Sequence, residues 1–382
     1  MSPLALQASR VLTPDGFQSD WCVLVESGLI VGVMPSVECP TGLRLRQLDG
    51  DLLPGFIDLQ VNGGGGILFN DHPTVAGIAA IGEAHRRFGT TGFLPTLISD
   101  DLGIVERAIR AVDAAMEEGV PGVLGIHIEG PFLNPARKGI HDASKFRILD
   151  EQALNLLASL RHGRVLVTLA PELAPAGAIR ALVDRGVVVA AGHTAATYDE
   201  VQAAFAEGLS GFTHLFNAMT QLGSREPGTV GAALEHGSSW CGIIVDGHHV
   251  HPATLRVALA AKGAARLALV TDAMPTVGSD QREFQLGGQR IVCDGDRCTA
   301  ADGTLAGSNL NMAAAVRNAV RLMGVDVATA VRMASQVPAS VLGLAAGRGA
   351  IAAGMRADLV LVDAGNNVVE TWISGWGNPH PG

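Results

Sequence analysis

Residues 123–129 read Val-Leu-Gly-Ile-His-Ile-Glu, a short apolar run that closes on an imidazole and a carboxylate two residues apart. Seven other short apolar runs accompany it: Gly55–Val61, Gly92–Leu97, Val165–Ala170, Val187–Gly192, Gly211–Leu215, Gly242–Val245 and Leu267–Thr271. Nearly unbroken apolar runs suit strands buried on both faces, and such strands belong to parallel sheets. Between them lie Ala-, Leu-, Glu- and Arg-rich stretches with helical character. These are Val75–Phe88, Leu102–Glu118, Asp150–Leu160, Ala176–Asp184, Tyr198–Glu207 and Pro252–Ala261, with a weaker one around Gly228–His236. Eight strands alternating with helical crossovers predict an α/β fold, a (β/α)8 TIM-like barrel.

Outside that span the rhythm changes. Residues 1–53 hold short β-type runs (Trp21–Val25, Leu29–Val33) broken by turns such as Pro14-Asp15-Gly16. The tail resembles them, with Ala357–Val362 and Val368–Ile373 on either side of a turn at Asp363–Asn367. Neither end is long enough for a stable sheet alone. The expectation is a small β-sandwich domain built from both chain termini, 1–53 and 347–382, attached to a barrel over 54–346. Trp372 and Trp376 are expected to pack it. Phe284–Leu286 and Arg290–Cys293, around Gly287-Gly288, predict a hairpin inserted after the eighth strand.

At 48% hydrophobic and 17% charged, the 382-residue chain is apolar enough to bury a large core and is no disordered segment. The formal net charge is −10 and the basic residues are scattered, which speaks against nucleic acid or an anionic membrane as partner. No apolar run approaches the roughly 20 residues of a membrane span, and the N-terminus shows no basic-then-apolar leader, so a cytoplasmic location is expected. Five cysteines without a CxxC pair predict neither a disulfide framework nor a thiolate zinc site, and no chemistry falls to Cys293 and Cys298.

Working residues of such a barrel sit at the C-terminal ends of its strands. Six of the twelve histidines (His127, His193, His214, His248, His249, His251) fall at or just past predicted strand ends, together with Asp58, Gln60, Asn62, Glu129, Asp246 and Asp272. Carboxylate and imidazole together suit a divalent transition metal such as zinc, whose catalytic sites keep about three protein ligands and one open position. Glu129, His193 and His214 supply that count. A cation so held would lower the pKa of a bound water from 15.7 toward about 7. Asp272, ending the last strand across the mouth, is placed to take the proton. His127 is either a further ligand or a hydrogen-bonding support for one, Asp58 and His248 read as structural, and His251 begins a helix. His72, His85, His162, His236 and His380 read as surface. Asn62–Gly66 lacks a phosphate loop's GKS/T ending and reads as a tight turn beside the metal. Lys138 is a solvated lysine or a clasp on a loop over the site.

A set of longer stretches narrows the reading: PGFIDLQVNGGGG (54–66), HIEGPFLN (127–134), RKGIHD (137–142), TLAPE (168–172), GHT (192–194), THLFNAM (213–219), REPG (225–228), DGHHV (246–250), VTDAM (270–274), GTLAGS (303–308) and GMRADLVLVD (354–363). In this order, along nearly the whole chain, they resemble the N-acetylglucosamine-6-phosphate deacetylase family of the metal-dependent amidohydrolase superfamily. The resemblance implies hydrolysis of N-acetyl-D-glucosamine 6-phosphate to D-glucosamine 6-phosphate and acetate, in amino-sugar catabolism and recycling. It implies one divalent metal ion per subunit, zinc or another divalent transition metal, on Glu129, His193 and His214. Asp272 would act as general base and then general acid, and His141 would help polarise the amide carbonyl. Ile140, His141, Asn217, Ala218, Leu305, Ala306 and Gly307 would meet the sugar, with Asp246 lining it or orienting His249. Arg225 and His249 would meet the phosphate, and a homodimer is implied in which phosphate contacts cross subunits. One departure stands out. Where many amidohydrolases carry His-x-His for a second metal, this chain has Gln60-Val61-Asn62, whose neutral amides are weak zinc ligands. That points to the single-metal branch, with a second, weakly held ion as the alternative. The competing readings are another amidohydrolase acting on a related N-acyl sugar or cyclic amide, and a metal-free assembly module.

Overall fold

The computed structural model describes residues 3–379. Eight parallel strands follow one another around the barrel in chain order: Phe56–Val61, Thr90–Ile98, Gly125–Glu129, Arg164–Leu169, Val188–Ala191, Gly211–Phe212, Trp240–Ile243 and Leu267–Leu269. All eight are buried along their length apart from the first residue of the fourth and fifth. The seam between first and eighth closes at the upper rim, where Val61 bridges Ala273 and the Asp272 amide donates to the Gln60 carbonyl at 3.0 Å. The third strand opens on Gly125 at φ 148°, where a Cβ would stand 1.8 Å from the Arg164 carbonyl oxygen; only glycine lets those backbones meet.

The helices form where the pattern places them. Leu102–Glu117 buries Val105, Ala108, Ile109, Val112 and Ala115, a three-and-four spacing that lines one helical face against the barrel. Tyr198–Glu207 starts on a capping box of Thr197 and Glu200 and stops at left-handed Gly208. The structure adds Met312–Asn318, Val327–Ala334 and Gln336–Val341 beyond the helical stretches read from the sequence.

Both chain ends build one mixed sheet. Its order is Trp376–Pro379, Val368–Ile373, Leu359–Val362, Arg44–Pro54, Leu4–Thr13, Gly16–Glu26 and Leu29–Pro35. The termini meet where Leu359–Val362 runs antiparallel to Arg44–Pro54, with Val360 opposite Leu53. Leu6, Val11, Val23, Ile30, Leu52, Leu359 and Trp372 form its core. Trp372 is 1% exposed, but Trp376 is 71% exposed and packs nothing there, because it opens the edge strand rather than facing the core. A single residue, Gly55, separates Arg44–Pro54 from the first barrel strand, so the terminal sheet leads straight into the site's first wall.

The insertion after the eighth strand is a four-stranded sheet of Glu283–Leu286, Gln289–Asp294, Arg297–Thr299 and Leu305–Ser308. Cys293 and Cys298 stand opposite each other on its two middle strands and form a disulfide, which corrects the reading that gave them no bond. Their spacing excludes a thiolate metal pair, but in a tight hairpin residues i and i+5 become cross-strand neighbours. His85 is also corrected: it is fully buried, with Nε2 2.9 Å from the Gly63 carbonyl. His380 lies outside the described residues. Among the described residues, no helix is long and apolar enough to cross a membrane.

Candidate active site

Glu129 is the last residue of the third strand, while His193 and His214 follow the fifth and sixth by two residues. His193 (φ 48°), His214 (φ 32°) and Asp272 (φ 53°) all hold left-handed backbone. For residues other than glycine this costs roughly 1–3 kcal/mol each and persists only where the surroundings impose it. Its effect is to swing three side chains off the strand ends and into the barrel mouth.

There the imidazoles converge on one carboxylate oxygen. Glu129 Oε1 is 2.9 Å from His214 Nε2 and 3.2 Å from His193 Nε2, and the two Nε2 atoms are 3.0 Å apart. His193 Nδ1 is 2.9 Å from the Arg137 carbonyl, which only accepts; the ring proton is therefore on Nδ1 and the Nε2 lone pair points inward. Buried nitrogens aimed at each other and at a carboxylate are a donor set suited to a divalent cation. All three ligand atoms lie within 4.8 Å of one another, and all three residues are buried. Burial by itself would push the Glu129 carboxyl up; the hydrogen bonds and charges of His193 and His214 outweigh it and hold the group well below the usual carboxylate range.

Asp272 faces this cluster. Its Oδ1 accepts from Asn62 Nδ2 at 2.6 Å and from Gln60 Nε2 at 3.1 Å, and Oδ2 has no hydrogen-bond partner among the described residues. Burial, reinforced by the Glu129 charge, pushes its pKa up to about 6. Gln60 Nε2 also lies 3.2 Å from both Glu129 oxygens. The two amides thus turn N–H donors toward the carboxylates, where a second cation would need lone pairs. His127 resolves as a support: Nδ1 is 3.3 Å from Thr96 Oγ1, Nε2 is 2.8 Å from Thr168 Oγ1, and burial lowers its pKa to about 4. Asp58 is buried against Thr271, through both the hydroxyl and the backbone amide. His251 caps the Pro252–Lys262 helix.

Above the cluster opens a cavity of about 350 Å³. Its walls include Glu129, Ile140, His141, His193, His214, Asn217, Ala218, His249, Asp272, Leu305 and Gly307. Asp246 stands behind the wall, its carboxylate 2.6 Å from His249 Nδ1 and accepting from the His248 and His249 amides at 2.8 Å, so it orients His249. Ala306 is fully buried among Met274, Cys293 and Cys298 and does not reach the cavity. Arg225 is exposed in a loop that turns outward, Gly223 N donating to the Glu226 carbonyl at 3.0 Å; the structure does not bring it to His249.

A model described as the amidohydrolase family matches residues 52–377. The chain belongs to the amidohydrolase family. It is 41% identical over 375 residues to the N-acetylgalactosamine-6-phosphate deacetylase of Shewanella sp. (strain ANA-3), covering 97% of this chain and 95% of that one. It is 33% identical over 360 residues to the N-acetylglucosamine-6-phosphate deacetylase of Haemophilus influenzae, covering 93% and 94%. Among solved structures, the N-acetylglucosamine-6-phosphate deacetylase from Pasteurella multocida superposes with a TM-score of 0.95 at 31% identity, over 99% of this chain and 100% of that one.

Within this amidohydrolase the wall residues Ile98, Ala136, Arg137, Gly139, Met274 and Thr304 escaped the sequence reading, and one of them is charged. Arg137, in the same RKGIHD stretch as His141, is one of the wall residues; its carbonyl accepts from His193, and its guanidinium bonds to nothing among the described residues. A basic residue inside a stretch already singled out was the available signal. It went unused because Arg225 filled the cationic role. Lys138, next to it, is exposed, its Nζ 3.4 Å from the Gly139 carbonyl.

Proposed function

We propose that the chain hydrolyses the acetamide of an N-acetylhexosamine 6-phosphate, releasing acetate and the amino sugar phosphate. The observation that carries this reading is the Glu129–His193–His214 cluster set opposite Asp272 on the floor of a cavity of sugar-phosphate size. The N-acetylgluco compound is the substrate expected from the motifs. The galacto epimer is a second reading, favoured by the 41% identity to a relative named for it.

A single divalent ion, zinc or a similar transition metal, fits Glu129, His193 and His214 and when bound would supply an acidified water and a Lewis acid for the amide carbonyl. The chain's own groups do the rest. Asp272, pinned through Oδ1, offers Oδ2 to the attacking water and later returns the proton to the departing amine. Burial and the Glu129 charge raise its pKa and a bound cation would lower it; between the two, one carboxyl can serve in both directions near neutrality. His141, on the cavity wall, donates to the acyl oxygen as charge develops there. His249, oriented by Asp246, and Arg137 are the wall's groups for the phosphate.

The test is acetate release from both epimers of the 6-phosphate and from the unphosphorylated sugars. Turnover of at least one phosphorylated epimer, with kcat/KM more than tenfold above its unphosphorylated parent, is expected. No acetate from any of them, with metal supplied, would overturn the reading.

A further inference from the structure

We infer that Ser99 is a positioning residue that fixes the tautomer of His141, so that Nε2 carries the proton and the ring presents a donor to the cavity. The inference rests on the deacetylase reading for its purpose, but the tautomer is a property of the protein itself.

Ser99 follows the second barrel strand directly and is buried. Its backbone N–H reaches His141 Nδ1 at 3.3 Å, and its hydroxyl lies 2.8 Å from the same atom. A peptide N–H only donates, so Nδ1 must accept. The hydroxyl has one proton and two acceptors in reach, the Glu129 carbonyl at 3.5 Å and Nδ1 at 2.8 Å; with the Nδ1 lone pair already facing Ser99, it donates to the nearer. A nitrogen that receives two hydrogens carries none of its own, which rules out both the Nδ1–H tautomer and the imidazolium. The ring proton is left on Nε2, which bonds to no group among the described residues, while the ring itself lines the cavity.

The surroundings hold this arrangement in place. The His141 amide donates to the Lys138 carbonyl at 3.0 Å, and the ring rests 4.4 Å from that of His193, centroid to centroid. Gly130 leaves room for the hydroxyl: a Cβ there would stand 2.2 Å from Ser99 Oγ. The opposite tautomer would turn a lone pair toward the carbonyl oxygen of an amide and repel it. With Nε2–H in place, the same ring stabilises the charge that builds on that oxygen.

The test has a spectroscopic and a kinetic arm, both on the metal-loaded full chain. In ¹⁵N spectra of the histidine rings, His141 should show a protonated Nε2 and a bare Nδ1. Ser99→Ala removes the shorter donor and keeps the peptide N–H at 3.3 Å, so it should admit a fraction of the Nδ1–H form and lower kcat about tenfold, the worth of one hydrogen bond, with KM unchanged, and Ser99→Thr should restore both. In a His141→Asn background, Ser99→Ala should cost nothing further. A protonated Nδ1 in the native protein, or an undiminished penalty in the double variant, would overturn the inference. If instead no sugar phosphate is turned over at all, the ring spectra still decide the tautomer, separately from the deacetylase reading.

Discussion

Replacing Asp272 by asparagine separates what this residue holds from what it transfers. Oδ1 receives both amide donors, Asn62 at 2.6 Å and Gln60 at 3.1 Å, and an asparagine keeps an oxygen in that place. The new NH2 falls where Oδ2 stood, the position without a protein partner. Side-chain placement should therefore survive, and so should the ligand cluster, which Asp272 does not join. What goes is the proton acceptor. General acid–base catalysis is worth about 10²–10⁴-fold, or roughly 3–5 kcal/mol of barrier. Because one carboxyl handles both proton steps, Asp272→Asn should lower kcat for acetate release by 10²–10⁴-fold, with KM and metal content near those of the native chain. Stability moves the other way. The folded-state pKa of about 6 lies above the ordinary carboxyl value of 3.8, so this group favours the fold at low pH and its contribution is lost as pH rises through 6. The shift corresponds to at most about 3 kcal/mol at 1.36 kcal/mol per unit. Metal-free Asp272→Asn should accordingly melt at or above the native temperature at pH 8, and its advantage should vanish near pH 4. A variant that retains kcat within tenfold would refute the assignment of Asp272 as proton carrier.

Chelation should abolish acetate release, and zinc or cobalt should restore it; Glu129→Gln and His193→Ala should purify with less than one tenth of the native metal, and full occupancy in either would remove that residue from the site. Arg137→Ala should raise KM for the phosphorylated sugar about tenfold or more while leaving the unphosphorylated one unchanged, as expected for a charge-assisted bond to phosphate. Arg225→Ala, run alongside, decides between the two: a phosphate-specific rise there and none at Arg137 would mean that the 220–228 loop folds onto the ligand. Burial lowers His85 to about 4, so the unfolded chain takes up its proton first as pH falls. Its neutral-state stability is present above 6.5 and is lost toward pH 4, by about 3 kcal/mol. Denaturant titrations of His85→Gln across that window should show a slope shallower by about one proton; an unchanged slope would place the titrating group elsewhere.

The barrel was legible because each wall announces itself twice, once as an apolar run and once as the helical stretch that covers it. The ligand set was legible for a related reason: Glu129, His193 and His214 each close such a run, and three coincidences at one rim are hard to assemble by chance. Side-chain direction was not legible. Nothing in REPG says that Arg225 stays exposed and away from the cavity wall, and nothing in RKGIHD says that Arg137 stands on it. Burial of single polar groups was equally hidden. His85 looks like any histidine at a helix end until Gly63 is folded against it. Cys293 and Cys298 read as a poor metal spacing until strand pairing sets them face to face.

The strand boundaries carry a further lesson. The apolar runs continue to Gly192, Leu215 and Thr271, whereas the strands end at Ala191, Phe212 and Leu269. Just past those ends the chain enters left-handed backbone at His193, His214 and Asp272. Regular pairing lapses around these residues and then resumes: beyond His214 the Leu215 amide donates to the Gly242 carbonyl at 2.8 Å, and beyond Asp272 Ala273 bridges Val61. The residues at these interruptions are the ones that face the cavity. In an extended conformation, alternate side chains would point into the barrel's packed interior or out toward its helices. The turn sends the imidazoles and the carboxyl up into the mouth, where they reach one another and a substrate. The left-handed turns beyond the fifth, sixth and eighth strands thus build the site. Glu129 needs no such turn, since it closes its strand in register with Thr168 and already points inward.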